Sequence, residues 1–377
     1  MRRVVALFVI ALASVAHAQA KLVPADAAKA AEEKDIEGWN TFLSITSILN
    51  LTSNSGVIGQ VDGVSTLFSL GLLAGGDYVE GPHLFRSSLA INEGFARTPV
   101  IDRFIKSNDS IKIEGLYNYF VTKYWGGYGR LTLQTVFLQS EDVRGQPTTW
   151  IDITGATPVV LAMDERRLRL ASAFLPFSIN ESIGVFLDPI RKEYADVTLR
   201  LGAAGRHTFA DGVLALKDDA MTPEIEVMQL STVHQFGVEA FAGVTGKFDK
   251  DKGNYKAGLA VLLPLVNNDK YDRGAIALTR IALEGNLTYA VTSWLSLVYT
   301  LAVTKDPQLF PEGKETVQIQ NTLLVTVTLN LVKKAEKKVK TPEEIELEDA
   351  KRRADEAEKR ANEAEQKLRE LQPPPTP

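Results

Sequence analysis

Apolar and polar side chains alternate along most of this chain in stretches of about ten residues. The last stretch is the clearest. Val317, Ile319, Leu323, Val325, Val327, Leu329 and Leu331 fall on one face, with Asn321 the exception, while Thr316, Gln318, Gln320, Thr322, Thr326, Thr328 and Asn330 fall on the other. A strand points successive side chains to opposite faces, so such a segment has one oily wall and one wet wall. The same pattern predicts strands over 39–52, 64–74, 83–96, 109–123, 128–141, 166–177, 182–207, 226–247, 254–266, 275–289, 294–304 and 316–332. The segment 182–207 is interrupted at Asp188-Pro189 and reads as a bent strand or as two pieces.

About twelve strands is an even number, as bacterial outer-membrane barrels require. The expected fold is all-β: a transmembrane antiparallel β-barrel of about 12 strands, followed by a C-terminal α-helical, coiled-coil-like tail. Short connectors are expected at 75–77, 124–127, 250–253 and 291–293, and longer ones at 54–63, 97–108, 142–164, 208–223 and 305–315. Short and long connectors roughly alternate, as periplasmic turns and external loops do, and an even strand count puts both chain ends in the periplasm. A soluble exported sandwich also alternates its faces, but sandwich strands are usually about five or six residues long. These run nearer the length that a tilted membrane strand needs. Tyr117, Tyr119, Tyr124, Trp125, Tyr289, Trp294 and Tyr299 lie near strand ends, where interfacial aromatics gather.

Four regions result. Residues 1–18 read as a signal peptide: Arg2 and Arg3, an apolar core from Val4 to Val15, then Ala16-His17-Ala18 as cleavage site. Residues 19–38 are a periplasmic leader rich in Ala, Lys, Asp and Glu. Residues 39–332 are the barrel, and residues 333–377 a charged helical tail with a Pro-rich end. The expected location is the outer membrane of a Gram-negative-type bacterium. There is no cysteine, so neither a disulfide nor a lipid-anchored N-terminus is available. A formal net charge of −5 argues against a nucleic-acid partner.

If the oily face meets lipid, the other face points inward. That places Arg86, Lys112, Glu114, Arg130, Arg167, Arg169, Arg200, Arg206, Arg280, Glu284 and Asn286 in or near the lumen. An Arg or Lys on the lipid side would cost about 2–4 kcal/mol at midplane. Cations outnumber acids in this set, which fits an anion-preferring pore. It fits equally a narrow lumen filled by ion pairs that hold the barrel shut. The mature chain's histidines, His83, His207 and His234, are widely separated, and no catalytic or metal-binding motif is present. No catalytic residue, cofactor or metal is expected. The glycine-rich stretches 56–63, 71–76 and 126–129 read as turns and kinks.

In the tail, Leu347, Ala350, Ala354, Ala357, Ala361, Ala364, Leu368 and Leu371 step by three and four, the spacing of a coiled-coil seam. A solitary helix held by i,i+4 ion pairs fits the same charges. Thr341-Pro342-Glu343-Glu344 supplies a helix start, and a helix from Pro342 to Leu371 would reach roughly 45 Å. The expected partners are outer-membrane lipid and, through the tail, either a second copy or a periplasmic or cell-wall partner.

Several motifs resemble a bacterial family of outer-membrane β-barrel proteins whose function is not assigned. They are Trp39 opening the first strand, Lys106-Ser107-Asn108-Asp109 leading into Ile111-Lys112-Ile113, Pro176 and Pro189 flanking Ser182-Ile183-Gly184, and Phe236-Gly237-Val238. The resemblance covers about 38–332 and implies an outer-membrane barrel without catalytic residues. The roles it leaves open are a narrow channel, an envelope-organising tether between outer membrane and cell wall, and, with least in its favour, an enzyme.

Overall fold

The computed structural model describes residues 37–54, 63–192, 194–219, 221–250, 252–314 and 317–332. The signal-peptide, leader and tail expectations lie outside these residues, as does the seam from Leu347 to Leu371. The described residues form sixteen strands: β1 Gly38–Asn54, β2 Gly63–Glu80, β3 His83–Thr98, β4 Ile101–Phe120, β5 Trp125–Thr135, β6 Ser140–Asp152, β7 Val159–Ala171, β8 Phe177–Lys192, β9 Ala195–Phe209, β10 Leu214–Leu216, β11 Ile225–Gln229, β12 Val233–Phe248, β13 Gly253–Asn267, β14 Arg280–Ala290, β15 Leu295–Lys305 and β16 Val317–Val332. Twelve of them close into a barrel in the order β1-β16-β15-β14-β13-β12-β9-β8-β5-β4-β3-β2, and β10-β11-β6-β7 form a separate four-stranded sheet. Each barrel strand pairs antiparallel with its neighbours. The cylinder closes where Leu43 to Ser47 of β1 meet Val332 to Val327 of β16.

The period-two rule holds around the wall. On β4, Lys112, Glu114, Leu116 and Asn118 are buried, while Ile113, Tyr117 and Tyr119 between them are exposed. On β8, Ser178, Asn180, Ser182 and Phe186 alternate with exposed Ile183, Val185 and Leu187. In a closed cylinder the buried set faces inward, and the exposed apolar set makes the outer surface. Backbone groups satisfied by neighbouring strands and an apolar exterior are what a hydrocarbon environment demands.

Connector lengths differ between the two ends, with one exception. The turns at 81–82, 121–124, 193–194, 249–252 and 291–294 all lie at the end where β1 begins and β16 finishes. The connectors 136–176, 210–232, 268–279 and 306–316 all lie at the opposite end, called here the far end, where the two residues 99–100 also join β3 to β4. Aromatics are exposed at both ends: Trp39, Tyr117, Tyr119, Tyr124, Trp125 and Trp294 near the turns, and Phe137, Phe174, Phe209 and Phe236 near the far end.

Several sequence expectations are corrected. The predicted barrel strand 166–177 overlaps the end of β7, outside the barrel. The segment 182–207 is two pieces, one of the two readings left open, but the division falls after Lys192 and not at Asp188-Pro189. Counted as two, it offsets the loss of 166–177 and leaves twelve. Pro189 has no N–H for the ladder, so β8 shifts register between Leu187 and Ile190 and then continues to Lys192. The predicted turn at Gly75-Gly76-Asp77 lies inside β2. A Cβ on Gly75 would sit 2.3 Å from the Ser87 carbonyl and 2.8 Å from the Phe42 ring, so glycine there admits close packing and not a reversal. The predicted long loop 97–108 is strand except for a tight turn, and the predicted strand 226–247 divides into β11 and β12.

Candidate functional site

The inner wall carries a layer of ion pairs. Arg86 donates to Asp77 at 2.9 Å, between β3 and β2, and Lys112 meets Glu114 at 2.8 Å on β4. Arg130 on β5 reaches Glu239 on β12 at 3.0 Å, although β8 and β9 lie between them in the wall. That is about three strand spacings, or roughly 14 Å of wall, and only inward-pointing side chains can span it. The floor beneath is bare, because Gly184 pairs with Tyr128 and Gly202 pairs with Glu239. These pairs are nearly dry, with side-chain exposures of 5% or less for Arg86, Asp77, Arg130 and Glu239.

A second group sits at the far end. Asp306, just past β15, accepts from Arg206 of β9 at 2.6 Å and from Arg280 of β14 at 3.2 Å. Pro307–Leu309 then form one 3-10 turn, with Pro307 at its start. Gln308 of this turn is buried; it accepts from the Gln235 amide and donates to Asn268, each at 2.7 Å. Asn268 also accepts the His234 N–H at 2.8 Å. The β15–β16 connector is thereby tied to β9, β12 and β14 across the mouth of the cylinder.

The connectors pack on one another. Ala171, Ala210, Val213, Ala215, Met228, Leu230 and Phe310 form one apolar cluster, and Trp150, Leu170, Ile225 and Val227 form another. The Ser231 N–H donates to the Leu309 carbonyl at 3.0 Å, and Lys314 Nζ donates to the Ile153 carbonyl. Arg273 binds Asp269 at 2.6 Å and reaches the Phe310 carbonyl at 3.3 Å. Burial pushes the Asp269 carboxyl up. The guanidinium of Arg273 and the N–H groups of Arg273 and Tyr271 outweigh it and hold the pKa below the ordinary carboxylate range.

Of the sequence-derived lumen residues, Arg86, Lys112, Glu114, Arg130, Arg200, Arg206 and Arg280 are buried on the inner parity of barrel strands. Glu284 and Asn286 are half-buried on the inner parity of β14, and Asn286 donates to Thr300 at 3.2 Å. Arg167 and Arg169 are a correction: they are exposed on β7, which is not in the barrel wall. Their segment alternates as a barrel strand does, but it pairs with β6 in the separate sheet. Asp77, Glu239, Asp306 and Gln308 went unread. Glu239 follows from the same parity rule applied to Gln235 and Phe241. Asp306 and Gln308 carry no such signal, because their partners are about 26 to 100 residues away along the chain.

The widely separated histidines include a pair that the fold brings together. His207 and His234 are register partners on β9 and β12, with their Nδ1 atoms 3.0 Å apart, and Glu181 lies 3.5 Å from His207. They lie on the outer parity, beside exposed Phe236. His83 bonds to Tyr117 at 2.6 Å near the opposite end. Among the described residues, no group of His, Asp and Glu is arranged to hold a metal ion.

No family model and no curated protein matches this chain. Among solved structures it is similar to the translocator domain of the autotransporter NalP from Neisseria meningitidis, at 10% identity and TM-score 0.36 over 80% of this chain and 92% of that one. An outer membrane channel from Pseudomonas putida F1 gives 10% identity and TM-score 0.37 over 82% and 100%. The transport unit of the autotransporter AIDA-I from Escherichia coli gives 11% identity and TM-score 0.31 over 88% and 97%.

Proposed function

We propose that this chain is an outer-membrane β-barrel of the bacterial envelope, with its ends and short turns on the periplasmic side. Its role is that of a narrow, gated passage for small solutes, and it performs no catalysis. The observation that carries the reading is the division of the wall: exposed apolar side chains outside, and a layer of buried charges inside that ends at the Asp306 latch. Charge at that depth serves permeation or closure, and a latch built from a connector can open without unpicking a wall strand. The outer aromatics near both ends and the grouping of short turns support the membrane placement. The motifs around Lys106–Ile113 and Phe236–Val238 support kinship with the outer-membrane barrel family of unassigned function.

Planar-bilayer recording of the purified full-length protein tests this. Discrete conductance steps that become longer or more frequent in Asp306→Asn are expected. A barrel that inserts and stays silent in both forms would refute the passage. The heptad spacing from Leu347 to Leu371 favours an added tether role, in which the tail engages a second copy or a cell-wall partner. Deleting residues 341–377 should then reduce association with isolated cell walls, and unchanged association would remove the tether.

A further inference from the structure

Among the described residues, the ion-pair layer leaves Arg200 as the buried inner-wall cation without a salt-bridge contact, although Glu114 lies near enough to attract it. Asp77 engages Arg86, Glu114 engages Lys112, Glu239 engages Arg130, and Asp306 engages both Arg206 and Arg280. Arg200 is 7% exposed, yet its Nε and Nη1 make no hydrogen bond. It is held between two rings, with Cζ 5.5 Å from the centre of Tyr128 and 5.3 Å from that of Phe241. Ring contacts use no N–H donor, so those of Nε and Nη1 remain unused. Ring contacts recover only part of the cost of desolvating a charge. An apolar side chain would fill the same space, so packing does not require arginine here.

Further unsatisfied polar groups lie nearby on the inner wall. The hydroxyls of Tyr128 and Ser182 are buried close to each other without a hydrogen bond of good geometry, and both amide atoms of Asn180 are buried without a partner. Ser182 is the register partner of Arg130, and its own neighbour on β9 is Ala204. Gly184 and Gly202 face each other just below, so Tyr128, Ser182 and Arg200 stand around a floor that contributes no side chain of its own and over which the Arg130–Glu239 pair reaches.

We infer that Arg200, with Tyr128 and Ser182, forms an internal site for the carboxylate or phosphate group of a small solute. The guanidinium edge matches two oxygens of such a group, and the hydroxyls can donate to the second lone pairs of those oxygens or, in a phosphate, to a further oxygen. Arg130 and Glu239, paired over the same floor, offset each other, so the surplus charge at the site is that of Arg200. The inference deepens the passage reading by naming a class of solute; it rests on that reading for its role and not for binding itself.

Calorimetric titration of the purified full-length protein in detergent, at constant ionic strength, tests the site with inorganic phosphate and separately with acetate. Saturable binding of at least one is expected, and which one binds identifies the oxyanion. Arg200→Met should weaken it about tenfold or more, the loss expected for a charge-assisted hydrogen bond. Tyr128→Phe, which keeps the ring, should weaken it severalfold. Anion-free Arg200→Met should melt no lower than the parent, because an unpaired buried charge has gone. Equal binding in the parent and either variant, or only a non-saturable salt response, would overturn the site. Parallel bilayer recordings separate the two claims. Arg200-dependent binding without conductance removes the passage and keeps the site, and conductance without Arg200-dependent binding does the reverse.

Discussion

Asp306→Asn is the sharpest perturbation of the latch. The carboxylate is shared by two guanidiniums, and the side chains of Asp306, Arg206 and Arg280 are 5%, 3% and 1% exposed. At such burial solvent screens little, and removing one partner of a buried pair costs about 3–5 kcal/mol, mostly as the penalty of a charge left uncompensated. One substitution here takes the carboxylate from two guanidiniums, Arg206 keeping its bond to Gln235 at 3.3 Å, so a loss within that range, about 3–5 kcal/mol, is expected. Asparagine keeps the shape of the side chain, so lost packing contributes little. Urea unfolding of protein refolded into lipid vesicles would report the change. Adding Arg280→Met to Asp306→Asn should recover part of the loss, because one of the two cations that lost the carboxylate is then gone. A shift under about 1 kcal/mol for Asp306→Asn would refute the idea that this acid holds the connector in place.

Three further outcomes are expected. Ile183→Lys places a cation on the outer wall near the middle of β8, where Ile183 is 69% exposed; it should cost about 2–4 kcal/mol in vesicles, and an unchanged unfolding midpoint would argue that this face does not meet lipid. Gly184→Ala would set a Cβ 2.2 Å from the Leu201 carbonyl and 2.5 Å from the Gly202 Cα; both contacts are backbone, so a loss of about 1–3 kcal/mol is expected, and a neutral result would show that β8 and β9 can separate freely. The Asp269 carboxyl has a lowered pKa when folded, so its contribution is present above the unfolded value of about 3.9 and lost as pH falls through the folded value. Hydrogen exchange in 268–279, corrected for intrinsic rate, should therefore accelerate relative to the barrel strands below about pH 4, and uniform protection there would contradict the assignment.

What could be read from the sequence divides along physical lines. The wall was legible because lipid outside and charge inside force a strict period of two, so Lys112, Glu114 and Ile113 declared their faces locally. The separate sheet was not, because β7 alternates just as a wall strand does, and only pairing shows that its neighbour is β6. Gly75-Gly76-Asp77 was misread because glycine serves both turns and close packing, and the Phe42 ring that decides between them comes from another strand. The latch needed contacts that no local pattern records. The pairing of His207 with His234 likewise depends on the register of two strands joined by a long excursion.

Alternation on the wall is the central claim, and the absence of native cysteine makes it directly measurable. Single cysteines placed at each position from 178 to 187 on β8 would carry a fluorophore, and quenching by a lipid-soluble and by a water-soluble agent would be compared in vesicles. Positions 179, 183, 185 and 187 should respond to the lipid-soluble quencher, while 178, 180, 182 and 186 should be shielded from it. Loss of this two-residue period, or equal access of the aqueous quencher to the odd positions, would contradict a closed cylinder in lipid.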